Sequence, residues 1–415
     1  MTPLTRLTSR PPLLAVLLAT VALASGCKKE EAIRADADFY KKTQEQLIRA
    51  KPGTVIELPE GRFRLDRSLS STVDGITIRG KGPDKTILSF KGQTQGAEGL
   101  LVKGNNITIE DLAIEDTKGD ALKVNGSDGL VIRRVRTEWT GGPKESNGAY
   151  GLYPVQCRNV LIEDSVAIGA SDAGIYVGQS EHVIVRRNKA MRNVAGIESE
   201  NTQHADIYEN TVTENTGGIL VFDLPDLPKR GGKSTRVFNN EIFANNTDNF
   251  APKGNIVAKV PAGTGVMLMA TDQVEVFQNR IRDNQTANML IVSYFVAQKP
   301  INDKGYDPYP EALFIHDNTF SGGGDSPGGM LLKLLALKLG KPFPDILYDG
   351  IVDDKKKTPQ GTLPDDMRIC IRNNGDADFA NADVGHDFEN IRKELAPHDC
   401  QHPSYSPVQL TGVTQ

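Results

Sequence analysis

Glu198 and Glu200 are the residues of this chain best placed to do chemistry together. They stand two apart in Gly196-Ile197-Glu198-Ser199-Glu200, and on a strand side chains two apart point the same way, so both carboxylates can reach one ligand. Such a pair can bind Ca2+, or raise each other's affinity for protons. Solvent alone also tolerates two neighbouring carboxylates, so a plain surface pair is the competing reading. Lys123, Tyr153 and Tyr176 fill the matching place in earlier segments, Gln156, Gln179, Asn201 and Asp223 end such segments, and Asp172 precedes one. Aromatic rings beside carboxylates and amides suit a sugar, because a ring face stacks on C–H groups while polar groups take the hydroxyls. Lys123, Tyr153, Tyr176, Gln156, Gln179, Asn201 and Asp172 are therefore the expected ligand-binding residues, with an ordinary solvated exterior as the alternative. His398 and His402 flank Cys400, a set able to hold copper or zinc, but a Cys370–Cys400 disulfide is the expected use of these cysteines in an exported chain. No Cys-x-x-Cys-His, Walker loop or Gly-x-Ser-x-Gly occurs.

A repeat must position these residues. Segments reading small, apolar, any, apolar begin at Gly99, Ala121, Gly151, Gly174, Gly196, Gly218, Gly265 and Met289, and the basic spacing is 22 residues. Alternation with period two continues in Val160-Leu161-Ile162 and Val183-Ile184-Val185, which predicts strands. Short strands repeating at this period bury their apolar side only by stacking coil on coil, so the predicted fold is an all-β parallel β-helix. Ser165, Asn188, Asn210, Asn240, Asn279, Asn318 and Asn374 form a second column, assigned to structure because stacked asparagines bond the backbone of the next coil. His182 and His204 share a column with Asn106, Gly129 and Asn159 and read as turn residues. Insertions before Gly151, after Phe222, before Gly265 and after Tyr294 all flank one strand, which makes its outer face the floor of a groove. Leu220, Phe222, Met267, Met269 and Ile291 are read as its apolar end and as a docking patch. The expected organisation is a leader over 1–26, a tether and the start of an N-terminal cap over 27–46, the β-helix over 47–322, an insertion over 323–366, and the last coil and tail over 367–415. Within the insertion, 330–339 is expected to be a helix packed as a lower cap.

Residues 1–26 carry Arg6 and Arg10, no acid, and an apolar run from Leu13 to Leu23, which is a signal-peptide pattern. Without them 46 basic residues face 53 acidic ones, a charge of minus 7 that argues against nucleic-acid binding. Ala24-Ser25-Gly26-Cys27 resembles the lipobox of bacterial lipoproteins, which implies a lipid on Cys27. Lys28 and Lys29 follow in place of an inner-membrane retention aspartate, which implies the outer membrane, with ordinary periplasmic export as the alternative. The membrane is then met through the lipid anchor only.

Tyr-Gly-Leu-Tyr-Pro-Val-Gln from Tyr150, Gly-Ala-Ser-Asp-Ala-Gly-Ile-Tyr-Val-Gly-Gln-Ser from Gly169, Val-Ala-Gly-Ile-Glu-Ser-Glu-Asn from Val194 and Asn-Phe-Ala-Pro-Lys-Gly from Asn249 resemble a family of exported bacterial parallel β-helix repeat proteins. The resemblance covers about residues 47–380. It implies a right-handed, pectate-lyase-like β-helix and frequent gene pairing with a cytochrome-like secreted protein, and it supplies no catalytic residues. More distantly, an outward Glu-x-Glu pair on a β-helix strand is similar to the calcium site of chondroitinase-type and alginate-type lyases, which use a lysine base after the pair and a later arginine. No lysine follows Glu200 before Lys229, so Lys229 and Arg230 would serve from a loop, with Glu198, Glu200 and Asp223 holding Ca2+. Three functions are expected in turn: an outer-membrane-tethered scaffold binding a polysaccharide or a partner protein, a Ca2+-assisted uronate lyase or epimerase, and a docking partner of an exported cytochrome-like protein.

Overall fold

The computed structural model describes residues 36–413, so the stretch expected to be a leader and Cys27 lie outside the described residues. Each coil sends one strand into an 11-stranded sheet running from Arg67–Ser71 to Phe379–Asn381, and the remaining strands form a 19-stranded sheet. All pairings in the 11-stranded sheet, called the face sheet below, are parallel. Its strands Ala173–Gly178, Ala195–Glu200 and Gly217–Phe222 stack in register, with Tyr176 beside Glu198 and Glu198 beside Leu220. Because alternate residues point inward, Leu152, Ile175, Ile197, Ile219 and Val266 stack in one buried column, while their neighbours face out beneath the loops. This fold is an all-β parallel β-helix, with two α-helices among the described residues.

One register differs from the sequence reading. Val266 pairs with Met289 and Met267 with Leu290, so Ile291 points into the core and Leu290 takes the outward place. The period predicted a small residue at Met289, but Asn288 fills that position, and a buried Asn is invisible to a search for small residues.

The polar interior is satisfied by the asparagine column. Asn188, Asn210, Asn240, Asn279 and Asn318 each donate a side-chain N–H to the amide oxygen of the next, at 2.9–3.1 Å, and the column ends on Asn374. The same oxygens accept backbone N–H groups from the preceding coil. A second column, Asn193, Asn215, Asn245 and Asn284, repeats this arrangement. Asn159, His182 and His204 sit at corners with φ of 52–56°, a conformation that Asn and His tolerate better than bulky residues, and the two imidazoles stack 5.2 Å apart.

Helix α1, Ala37–Arg49, covers the first coil: Leu47 is buried and its carbonyl accepts the Ser71 hydroxyl. This covers an edge that would otherwise present unpaired backbone groups. Helix α2, Met330–Leu339, lies beside the face sheet rather than beneath the last coil, and Leu335 is its single buried residue. Ile346–Tyr348, inside the stretch read as an insertion, is a face-sheet strand pairing with Ala287–Val292. Cys370 and Cys400 are disulfide-bonded. Beyond them the tail runs back across the coils: Tyr405 N–H donates to Glu275, Val408 N–H to Asp206 and Thr411 N–H to Asn159.

Candidate functional site

Lys123 and Tyr153 are register neighbours on the face sheet, and the Lys123 ammonium stands 4.7 Å from the centre of the Tyr153 ring. Tyr150, Tyr153 and Tyr176 form a triangle of rings with centroids 4.3–4.9 Å apart. Gly178 explains where Tyr176 ends up. The position beside Glu200 carries no side chain, and a Cβ there would collide with the Tyr176 ring and hydroxyl. The ring therefore lies across Gly178, and its hydroxyl donates to Glu200 Oε1 at 2.7 Å.

Beneath the rings lie three carboxyl groups. Glu198 is 1% exposed and Asp172 6%, while Glu200 is half-buried. Burial, then the charge of Asp172, pushes the proton affinity of the Glu198 carboxyl well above its ordinary range. Asp172 itself is pushed up to about 7 by burial and by the charge of Glu200, against the opposing effect of the Asn255 side chain, which donates to its Oδ2 at 2.8 Å. Burial also raises Glu200, and the Tyr176 hydroxyl partly offsets this. Glu198 Oε2 is buried and has no hydrogen-bond partner. At the rim, Asp120 accepts from Lys123 at 3.4 Å and is itself raised by burial. The result is a partly exposed carboxyl, Glu200, backed by a proton-holding pair and bordered by one lysine and three tyrosines.

Of the residues expected to act together, Lys123, Tyr153, Tyr176, Asp172, Glu198 and Glu200 meet here. The others do not. Gln156 and Gln179 touch each other at the strand ends, at 3.4 Å. Asn201 is fully buried and its amide shapes the loop after Phe222, donating to the Leu224 and Lys229 carbonyls and accepting the Leu224 N–H, which corrects its assignment to a ligand. Asp223 closes the same loop by accepting the Gly232 N–H, and burial raises it to about 7. Lys229 donates to the Ser180 carbonyl and to Glu181, and Arg230 pairs with Asp303 at 2.9 Å. No hydrogen bond or ion pair joins Asp223, Lys229 or Arg230 to the pair, so the base and its arginine helper expected from the lyase resemblance are engaged elsewhere. Leu220, Phe222, Met267 and Met269 are buried under the loops and Ile291 inside the coil, which removes them as a docking patch.

Ca2+ does not fit the pair. The ion takes 6–8 oxygens, whereas the pair offers two carboxyl groups, and Glu200 Oε1 already accepts the Tyr176 hydroxyl. Among the described residues, no group of three or more His, Cys, Asp or Glu is arranged to hold a metal ion.

Tyr150, Asp120, Gly178 and Asn255 belong to the site but were not read from the sequence as members. Tyr150 stands just before the small residue Gly151, and Asp120 just before Ala121, so both lay beside a recognisable segment start. Asn255 comes from an aperiodic insertion and left no signal.

A family model described as a right-handed beta helix region matches residues 98–249. No curated protein matches the sequence. Among solved structures, the chain is similar to the A-module of the Azotobacter vinelandii mannuronan C-5 epimerase AlgE4, with a TM-score of 0.54 and 17% identity over 76% of this chain and 88% of that one. The A-module of AlgE6 from the same organism follows at 0.48 and 17%, over 76% and 87%. The pectate lyase Pel9A matches at 0.42 and 12%, over 73% and 68%. At 17% identity the AlgE4 likeness, with the family match, shows the fold, a right-handed parallel β-helix.

Proposed function

We propose that this chain is a polysaccharide-active protein that takes a uronate-containing sugar chain across the Lys123–Tyr153–Glu200 face and uses Glu200 to move a proton. One observation carries the reading: Glu200 is a partly exposed carboxyl of raised proton affinity, held by the Tyr176 hydroxyl beside the Lys123–Tyr153 pair. A sugar ring stacks on Tyr153 and its carboxylate meets the Lys123 ammonium. Glu200, three strands along the face from Lys123, accepts the proton of a C–H next to a sugar carboxylate as general base, and the electron pair left behind either expels the glycosidic oxygen, giving unsaturated uronate, or takes a solvent proton back on carbon. The raised proton affinity of Glu198 and Asp172 below limits negative charge at the site, which favours entry of an anionic sugar. The mannuronan epimerase likeness is consistent with this substrate class. A lipid tether at Cys27 and an outer-membrane location form part of the same proposal, and mass spectrometry of membrane-fraction protein should find a lipid-modified Cys27.

The test incubates the protein with a panel of uronic polysaccharides, following both ultraviolet absorbance of unsaturated uronate and deuterium uptake from D2O. The expected outcome is one of these signals, insensitive to chelator and abolished by Glu200→Gln. Flat traces with retained binding would leave a glycan-binding face without chemistry; absence of binding would discard the reading.

A further inference from the structure

Helix α2 is unusual for what it leaves in solvent. Of its ten residues eight are apolar, yet Met330 is 82% exposed, Leu331 44%, Leu334 52% and Leu337 82%. Between the helix and the face sheet lies an apolar cavity of about 290 Å³, lined among others by Met267, Leu290, Leu335 and Leu347. Leu335 packs on the face-sheet cluster with Leu332, Ala336 and Leu339 beside it, so the core explains the inner side of α2 but not Met330, Leu331, Leu334 and Leu337. The exposed residues instead form a contiguous patch of the kind that marks an interaction site.

Charge identifies the occupant. The helix carries Lys333 and Lys338 and no acid, Lys341 follows it, and Asp325 and Asp345 flank the segment, Asp345 accepting the Asn288 amide. Lys338 is spent on the Asp387 and Phe388 carbonyls, while Lys333 and Lys341 are exposed. An anionic lipid surface supplies both an apolar phase and negative headgroups, and lysines bordering exposed leucines are what an interfacial helix presents. No helix of the described residues is long and apolar enough to cross a membrane, and ten residues span only about half a bilayer core.

We infer that α2 is a membrane-surface element whose Met330, Leu331, Leu334 and Leu337 side chains insert among the headgroups of an anionic bilayer while Lys333 and Lys341 meet lipid phosphates. The inference is independent of the sugar chemistry proposed above.

Residues 35–415 form a compact unit, so this fragment can be sedimented with vesicles of phosphatidylglycerol and phosphatidylethanolamine, and separately of phosphatidylcholine alone. The fragment should sediment with the anionic vesicles. Leu334→Glu with Leu337→Glu should weaken partitioning about tenfold or more with unchanged thermal unfolding, because these side chains touch little of the protein. Lys333→Ala with Lys341→Ala should remove the preference for anionic lipid. Leu337→Trp, a variant that keeps the surface apolar, should show a blue-shifted emission on adding vesicles. Protein that stays in the supernatant, Glu variants that bind as well as the parent, or a dimer broken by Leu334→Glu without vesicle binding would each overturn the inference.

Discussion

A methyl group on Gly178 would push the Tyr176 ring away from the face sheet and its hydroxyl off Glu200. Since that hydroxyl lowers the proton affinity of Glu200, Tyr176→Phe should raise it, and the acid limb of kcat/KM should move to higher pH while the unfolding temperature stays within a few degrees. The buried pair makes a separate statement about stability. Asp172 and Glu198 bind protons more tightly folded than unfolded, so their contribution is complete below the ordinary carboxylate range near pH 4 and is lost as pH rises through about 7. Stability should therefore fall between pH 4.5 and 7.5, on the order of 2–4 kcal/mol for one such group. Glu198→Gln should flatten this slope in urea titrations at several pH values, and an unchanged slope would place the titrating group elsewhere. Glu198 and Glu200 were legible as a pair from their spacing alone. Their raised proton affinity was not, because it depends on Asp172 arriving from the preceding coil and on the rings and loop that exclude water.

At the scale of elements, the asparagine columns join coil to coil. Asn240 donates to Asn279, to the Ile207 carbonyl and to its own coil at Phe238, while its oxygen serves two groups of Asn210. Asn240→Ala leaves several buried partners unsatisfied and should cost about 1–3 kcal/mol or more, measurable as a lowered denaturant midpoint. Asn374, at the end of the column, accepts from Asn318 but has no later amide to donate to, so Asn374→Ala should cost less. The first column was readable because its period follows the repeat. The face loops were not, since a loop without periodicity lands wherever its side chains find partners. Asn255 on Asp172 and Lys229 on Ser180 are both of this kind.

Across the whole molecule, the C-terminal tail fastens coils that lie far apart in sequence. The Cys370–Cys400 bridge closes a separation of 30 residues, and Val408 then packs on Val131, Leu161 and Ile184. Cys400→Ser should cost roughly 3 kcal/mol by restoring freedom to the unfolded chain. It should also speed hydrogen exchange at the Val408 and Thr411 amides, which are held by Asp206 and Asn159. Exchange left as slow as in the parent would mean that the tail docks without its bridge. The amino-acid sequence alone determined the solenoid, because a 22-residue period with alternating burial has one economical solution: coils stacked so that each covers its neighbour's apolar edge. It also determined that the strands carrying Lys123, Tyr153, Tyr176 and Glu198 share a face and that the Glu198–Glu200 pair lies on its outer side, though not that Ile346–Tyr348 joins that sheet. Tertiary structure decided the protonation of that pair, the diversion of Lys229 and Arg230, the covering of Leu220 and Met267, and the exposure of α2. Each of these depends on where an aperiodic segment comes to rest, and therefore on contacts between residues whose separation along the chain carries no repeating signal.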